Sequence, residues 1–132
     1  MADVKRTEQG WIAYYILADR CLFRRNTLLE CGDVRVVIGT VGLLRDRADT
    51  KFETVGHDRH FETKAFHAYR KDGRWWEADT CHEIRDIDAP QTIVELDADD
   101  RANLMHEAVV DEMILKLADG WQGEPKPPED DL

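Results

Sequence analysis

A cysteine, a histidine and an acid stand side by side at Cys81, His82 and Glu83, the residue types of a nucleophile and its base. A thiol nucleophile must lie within hydrogen-bond reach of the base that activates it. The surrounding pattern predicts a β-strand, in which neighbouring side chains point to opposite faces of the sheet. The spacing therefore separates Cys81 from His82, and we predict no catalytic residues here.

The five histidines raise the question of a metal centre. His67 and His82 fall on the inward face of a predicted hairpin, and His106 on a predicted helix would supply the third nitrogen of a zinc site. The competing interpretation, which we favour, is that inward histidines are hydrogen-bonded core residues. His106-Glu107 also lacks the second histidine of a His-Glu-x-x-His zinc-protease helix, because Val110 occupies that position. We predict neither a metal nor a cofactor, and a metal-dependent or Cys/His hydrolase is the least favoured function.

Arginines near aromatic residues form a candidate anion or nucleotide site. Its residues are Arg20, Arg24, Arg25 and Asn26. Guanidinium forks bind phosphates, and aromatic faces stack on bases. Arg24 and Arg25 are consecutive on a predicted strand, so at most one of them faces a given pocket. This cluster favours a nucleotide-signal sponge or sensor with its ligand at a homodimer seam. The alternative is that the arginines pair with carboxylates of the same protein.

Charge is divided unequally between the two halves of the chain. Residues 1–66 carry 11 basic and 10 acidic side chains, whereas residues 67–132 carry 7 and 18. A concentrated negative field repels phosphate and attracts basic surfaces. We therefore expect no direct binding to nucleic acid, and a cationic protein as the partner.

The acidic residues assigned to that partner lie on and just before a predicted helix. They are Asp97, Asp99, Asp100, Glu107 and Asp111. Carboxylates on a rigid element can occupy the Lys/Arg groove that another protein keeps for nucleic-acid phosphates. The alternative is a solvated helix face, with the first acids serving as the N-terminal cap and favouring the helix dipole.

Composition limits the class of protein. The chain has 132 residues, of which 42% are hydrophobic and 35% charged, as expected of one soluble domain. No apolar run approaches the roughly 20 residues of a membrane helix, and the first ten residues do not resemble a secretory signal. We expect a cytoplasmic protein. Its three cysteines are widely spaced and odd in number, which favours reduced thiols.

Two hairpins are predicted from their turns. Gly32-Asp33 suits a turn in which Gly32 takes a positive φ, and the resulting register pairs Glu30 with Arg35. That register places Cys31, Val34, Leu29, Val36, Thr27 and Ile38 on one apolar face. Asp72-Gly73 suits the second turn, with a register that pairs Tyr69 with Trp76, His67 with Ala78, Ala65 with Thr80, Thr63 with His82 and Phe61 with Ile84. The segment Trp11 to Ala18 is predicted to be a further, central strand, and residues 45–57 a loop.

One long helix is predicted from Asp99 to Ala118. Its apolar residues fall in one stripe, and Gly120 suits the position after its C-terminal end. The stripe consists of Ala102, Met105, His106, Val109, Val110, Met113, Ile114 and Leu117. The predicted fold class is α+β, an antiparallel sheet of about five strands with this helix packed on one face. Residues 1–9 are assigned to a flexible leader, 10–121 to the domain and 122–132 to a disordered tail rich in acid and proline.

Several short strings of the sequence resemble a group of small uncharacterised proteins of bacteriophages, prophages and other mobile elements. The strings are Gly10-Trp11, Ala18 to Cys21, Phe23 to Leu29 and Met105-His106-Glu107, and the resemblance covers roughly residues 10–117. The resemblance implies a genomic setting rather than a reaction or ligand. That setting suggests a counter-defence inhibitor, similar in kind to an anti-CRISPR protein, that works by binding and blocking.

Two functions from different classes therefore remain open, with the hydrolase behind them. The first is a non-enzymatic inhibitor that presents its acidic surface to the basic groove of another protein. The second is the nucleotide sponge built on the arginine cluster.

Overall fold

The computed structural model of the protein describes residues 3–10, 21–45, 52–53, 61–71, 75–88 and 98–121. It contains the strands β1 (Lys5–Gly10), β2 (Cys21–Cys31), β3 (Val34–Arg45), β4 (Phe52–Glu53), β5 (Phe61–Lys71) and β6 (Trp75–Asp88), and the helix α1 (Ala98–Ala118). The predicted strand from Trp11 to Ala18 and the predicted tail of residues 122–132 lie outside the described residues.

Five strands form an antiparallel sheet in the order β1-β2-β3-β5-β6, and the short β4 pairs with the end of β3. Helix α1 packs against β2, β3 and β5. The predicted α+β class, with one C-terminal helix on an antiparallel sheet, is confirmed. We call the side of the sheet that meets α1 the helix face and the opposite side the second face.

The first hairpin has the predicted register. Cys31 pairs with Val34, Glu30 with Arg35 and Leu29 with Val36. Gly32 begins the turn with a φ of 58°, a conformation that costs glycine little. Leu29, Val36 and Ile38 are buried on the helix face, with Cys31 and Val34 packed against them.

The second hairpin departs from the predicted register. Tyr69 pairs with Glu77 rather than Trp76, and Ala65 pairs with Arg85 rather than Thr80. The register shifts twice, between Ala65 and Phe66 and between Phe66 and Ala68, so β6 contains residues that have no partner on β5. The register is already displaced by one residue at Tyr69, so Trp76 and Ala78 pack on the second face instead of the predicted inward face.

Strand pairing is also present in two segments for which no strand was predicted. Residues 5–9 of the segment assigned to a flexible leader belong to β1, which pairs with β2, with Arg6 opposite Leu29. The predicted loop of residues 45–57 overlaps β3, which extends to Arg45, and contains β4, in which Phe52 pairs with Arg45. The structure therefore places ordered strand pairing where the low apolar content of the sequence predicted none.

Helix α1 has the predicted bounds to within one residue and buries the predicted stripe. His106, Val109, Val110, Met113 and Leu117 are all buried. The helix ends in a Schellman motif, in which the Trp121 N–H bonds the Lys116 carbonyl at 3.0 Å and the Gly120 N–H bonds the Leu117 carbonyl at 3.1 Å. Gly120 has a φ of 93°, as this cap requires.

The sheet curls toward its second face. Gln9 on β1 donates from Nε2 to the Trp76 carbonyl on β6 at 3.1 Å, although these strands lie at opposite ends of the strand order. In a flat sheet four spacings of about 4.8 Å would separate them by about 19 Å, beyond the reach of a glutamine. Helix α1 therefore packs on the convex side of a strongly curved sheet. Within the described part of the chain, no helix has the length and apolar content needed to cross a membrane.

Candidate functional site

The contact between α1 and the sheet has a polar centre. His106 points from α1 into the helix face and is fully buried. Its Nε2 lies 2.7 Å from Thr27 Oγ1 on β2, and its Nδ1 lies 2.8 Å from Thr40 Oγ1 on β3. Thr40 Oγ1 in turn lies 2.8 Å from Thr63 Oγ1 on β5. One imidazole thereby ties the helix to the three central strands.

This series of hydrogen bonds ends at the Glu8 carboxylate, which determines the donor in each of them. Thr27 Oγ1 donates to the Glu8 carboxylate at 3.0 Å, because a carboxylate only accepts. Having used its proton, Thr27 accepts from the Nε2–H of His106. A neutral imidazole carries one proton, so Nδ1 accepts from the Thr40 hydroxyl, which accepts from Thr63. The chain of donation therefore runs from Thr63 through Thr40, His106 and Thr27 to Glu8.

A second set of contacts joins α1 to β1 and β2 at the rim of this core. Glu107 accepts a fork from Arg6 on β1, with the Nη1–Oε1 contact at 2.8 Å, and also bonds Arg25 Nη2 at 2.5 Å. Arg25 Nε reaches Glu8 Oε2 at 3.1 Å, and its Nη1 reaches Asn103 Oδ1 at 3.3 Å. These charge-assisted bonds continue the His106 chain outward. We call His106, its three threonines, Glu8, Arg6, Arg25 and Glu107 the clamp network.

Burial and ion pairing shift the titration of two clamp residues in the same direction. Burial of His106, together with the positive charge of Arg25, lowers its pKa to about 4. The hydrogen bond from Arg6, assisted by that from Arg25, lowers the pKa of Glu107 to about 2. At neutral pH His106 is uncharged and Glu107 is ionised, which are the states that the hydrogen-bond directions require.

The clamp network is not arranged for chemistry on a substrate. Its four core side chains have a relative exposure of 0%: His106, Thr27, Thr40 and Thr63. Both nitrogens of His106 are occupied by threonine hydroxyls, so neither is directed at a reacting atom. The network instead fixes the rotation and position of α1 on the sheet.

The outer side of α1 carries an exposed apolar and acidic stripe. Leu104 is 70% exposed and Leu115 is 64% exposed. Ala108 and Asp111 are exposed between them, at spacings of four, seven and eleven residues that fall on one side of a helix. Asp100 is exposed one turn before Leu104. We call Asp100, Leu104, Ala108, Asp111 and Leu115 the outer stripe.

The acidic residues predicted to meet a partner divide into three groups. Asp100 and Asp111 are exposed on the outer stripe. Glu107 turns toward the sheet and is held by Arg6 and Arg25. Asp99 is on α1 but its side chain, like the whole of Asp97, lies outside the described residues.

The arginine cluster is divided by the sheet, as its alternation on a strand predicts. Arg25 is on the helix face within the clamp network. Asn26, its neighbour, is buried on the second face, where its Oδ1 accepts from Gln9 Nε2 at 2.7 Å. Arg24 is partly buried on that same side, and Arg20 lies outside the described residues. Arg25 and Asn26 thus have intramolecular partners on opposite sides of the sheet.

Of the histidines suggested for a metal centre, those whose side chains are described contribute to packing. His67 stacks on Trp121, with ring centroids 6.1 Å apart and an interplanar angle of 12°. His106 is a hydrogen-bonded core residue of the clamp network. In the part of the chain that the structure describes, no three His, Cys, Asp or Glu side chains are grouped to hold a metal ion. Cys21 is buried, and the Cys31 thiol donates to the Leu117 carbonyl at 3.6 Å.

Comparison with known proteins gives no relative: no family model matches the chain, and no similar protein was found among curated proteins or solved structures. For the residues that the structure describes, the fold and the site define an α+β domain in which α1 is clamped to an antiparallel sheet. Two of the sequence strings quoted above for the resemblance to mobile-element proteins contribute residues to that clamp. Arg25 and Thr27 come from the string Phe23 to Leu29, and His106 and Glu107 from Met105-His106-Glu107.

Several clamp residues were not functional candidates on the sequence alone, among them Arg6, Glu8, Thr40 and Thr63. The predicted inward faces already placed Thr27, Thr63 and His106 toward one another. A histidine on an apolar helix stripe, facing threonines on a predicted sheet, was the signal for a polar core. Arg6 and Glu8 gave no such signal, because β1 has no apolar alternation.

Proposed function

We propose that this chain is a non-enzymatic binding protein that docks the outer stripe of α1 on a basic surface of another protein. The single observation that carries the proposal is the exposure of Leu104 and Leu115 on one side of a helix that also presents Asp100 and Asp111. Large apolar side chains in a line, bordered by charge, are typical of a contact surface.

The clamp network supports the proposal by making the helix rigid. His106 and Glu107 attach α1 through hydrogen bonds to β1, β2 and β3. A surface whose backbone is already ordered loses little conformational entropy when it binds. The polar core behind the stripe therefore contributes to affinity without touching the partner.

The negative charge of the protein favours a cationic protein as the partner. The protein carries a formal net charge of −10, and the exposed carboxylates of the outer stripe add to that field locally. Such a surface accelerates encounter with a cationic protein and disfavours nucleic acid. A nucleic-acid-binding effector keeps such a cationic groove, so occupying it would block the effector. This is how a counter-defence inhibitor in the cytoplasm of a bacterial host would act, the role that the resemblance to mobile-element proteins suggests.

The test is native mass spectrometry of the protein purified gently at low salt from cells that express it naturally. Two charge reversals are compared: Asp111→Lys on the outer stripe and Asp33→Lys in the exposed β2–β3 turn, a matched change away from the stripe. We expect the wild type and Asp33→Lys to retain one basic partner, and Asp111→Lys to lose it. Salt at about 0.5 M, where charges are screened within about 4 Å, should also release the partner.

Two results would count against the proposal. Retention by Asp111→Lys equal to that by Asp33→Lys would remove the outer stripe from the interface. A retained mass of several hundred daltons, in place of a protein, would instead favour the nucleotide sponge, for which Arg20, Arg24, Arg25 and Asn26 are the candidate ligand-binding residues.

A further inference from the structure

We infer that the partner's contact element is a single cationic amphipathic helix that lies lengthwise along α1. This inference rests on the proposed function, because it names the chemistry of the partner at the same outer stripe. It is carried by the shape of the stripe, by its central alanine and by the position of Asp111.

The outer stripe is long and narrow. Leu104 and Leu115 are separated by eleven residues, or about 16 Å along the helix axis. Exposed Arg101 and Asp119 border the stripe on one side, where Glu112 and Lys116 also pair with each other at 3.8 Å. The Glu107 carboxylate, held by Arg6, borders it on the other side. Charged side chains thus limit the apolar contact to about one residue in width. A second helix, whose own apolar residues form a line, matches this shape better than a broad flat surface.

Ala108 lies between the two leucines and has the smallest side chain of the stripe. Helices approach most closely where small residues meet, and larger side chains on either side then interlock. Leu104 and Leu115 would insert beside apolar residues of the partner helix, one on each side of the closest approach. Asp111 lies next to that point and would pair with a lysine or arginine that borders the partner's apolar line.

A second copy of this chain is a poorer occupant of the stripe. An antiparallel pair of α1 helices would place Leu104 of one copy on Leu115 of the other. Asp111 of each copy would then lie near the two-fold axis, and the two aspartates would be about 4 to 5 Å apart along the helix axis. Two like charges in such proximity are destabilising. A cationic helix satisfies the same leucines and neutralises Asp111.

The inference is tested with two synthetic peptides of about 18 residues, five helical turns, that contain the same leucines and lysines. In one peptide the leucines line one helix side with lysines on both borders, and in the other the order is scrambled. Each is titrated into the uniformly ¹⁵N-labelled protein, and amide shifts are followed by NMR while circular dichroism reports peptide helicity. We expect saturable shifts at Leu104, Ala108, Asp111 and Leu115, and a gain in helicity, with the ordered peptide alone.

Three variants make the result specific. Leu104→Gln and Leu115→Gln should each weaken binding of the ordered peptide about 10-fold, the equivalent of about 1.4 kcal/mol. Leu22→Gln is the matched control, because Leu22 is 55% exposed and lies on the second face, away from α1. All three change an exposed leucine, so none should unfold the protein.

Each adverse outcome has its own meaning. Equal shifts from both peptides, or shifts outside α1, would overturn the helical partner. If the basic partner was nevertheless released by Asp111→Lys in the native mass spectra, the proposed function would stand. A concentration-dependent dimer in sedimentation, abolished by Leu104→Gln, would assign the stripe to a second copy and overturn the inference. Loss of both the peptide shifts and the charge-sensitive partner would overturn inference and function together.

Discussion

His106 Nδ1 lies 2.8 Å from Thr40 Oγ1, and this contact between helix and central strand sets the order of donation in the clamp network. Because Glu8 fixes the proton of Thr27, His106 is the Nε2–H tautomer and Thr40 must donate to Nδ1. The nitrogen shifts of His106 in a ¹⁵N NMR spectrum should show this tautomer at neutral pH. Nitrogen shifts typical of the Nδ1–H tautomer would contradict the hydrogen-bond directions assigned above.

The order of donation predicts unequal effects of two similar substitutions. Thr40→Val leaves Nδ1 of buried His106 without a donor and also removes the acceptor of Thr63. Thr63→Val removes only a donor to Thr40. An unsatisfied buried polar group costs about 1 to 3 kcal/mol, so Thr40→Val should lower the free energy of unfolding by about that amount, and Thr63→Val by less. Chemical denaturation measures both, and the reverse ranking would refute the chain.

Acid should weaken the clamp in two successive pH ranges. The pKa of His106 is lowered to about 4, whereas an unfolded histidine titrates near 6.5, so the unfolded state takes up the proton first. The resulting stability is fully present above pH 6.5 and is lost as the pH falls toward 4. The shift corresponds to about 3 kcal/mol. Unfolding measured between pH 7 and 4 should show this loss in the wild type and a shallower one in His106→Gln.

Glu107 titrates later and contributes less. Its pKa is lowered to about 2, so its stabilisation is present above pH 4.5 and is lost as the pH falls from 4.5 to 2. The carboxylate is partly exposed, and solvent screening therefore limits its contribution to below about 1 kcal/mol. A double-mutant cycle of Arg25→Met and Glu107→Gln should give a small favourable coupling that declines with salt. A coupling unchanged by salt would show that the pair is not held by charge.

Gly42 should be intolerant of any side chain. Phe23, Gly42 and Phe61 pair in one row across β2, β3 and β5, and the two rings meet over the glycine with centroids 5.9 Å apart. A Cβ on Gly42 would lie 2.2 Å from Phe61 Cδ2, and Phe61 is fully buried. Gly42→Ala should therefore destabilise the fold by about 1 to 3 kcal/mol. In a Phe61→Leu background, Gly42→Ala should lower the free energy of unfolding by less, because the Phe61 ring is absent. An equal loss in both backgrounds would show that the clash is not with Phe61.

The first hairpin was predictable because turn and alternation agree. Gly32-Asp33 fixes the turn, and the apolar residues on both strands fall on one face in a single register. The second hairpin has a similar alternation of apolar residues, but its sequence does not indicate where the bulges lie. Trp76 packs on the second face and Ile84 on the helix face, although eight residues separate them and regular alternation would place both on one side. Between the pairs Phe66–Glu83 and Ala68–Ala78, β5 advances by two residues and β6 by five, and these three extra residues of β6 account for the difference.

The helix was predictable and its polar attachments were only partly so. The 3.6-residue period and Gly120 define α1 locally, without reference to the sheet. The Arg25–Glu107 pair joins residues 82 positions apart, and Arg6–Glu107 joins residues 101 apart. Such pairs depend on how β1 lies beside β2, and the polar sequence of β1 gave no sign that it was a strand.

Site-specific photo-crosslinking in cells that naturally express the chain tests whether the outer stripe of α1 meets a protein partner. A photoreactive phenylalanine analogue replaces Ala108 at the centre of the stripe or, as the matched control, Leu22 on the second face. We expect position 108 to crosslink to one protein with a basic surface and position 22 not to do so. A partner captured equally from both positions, or from position 22 alone, would contradict it.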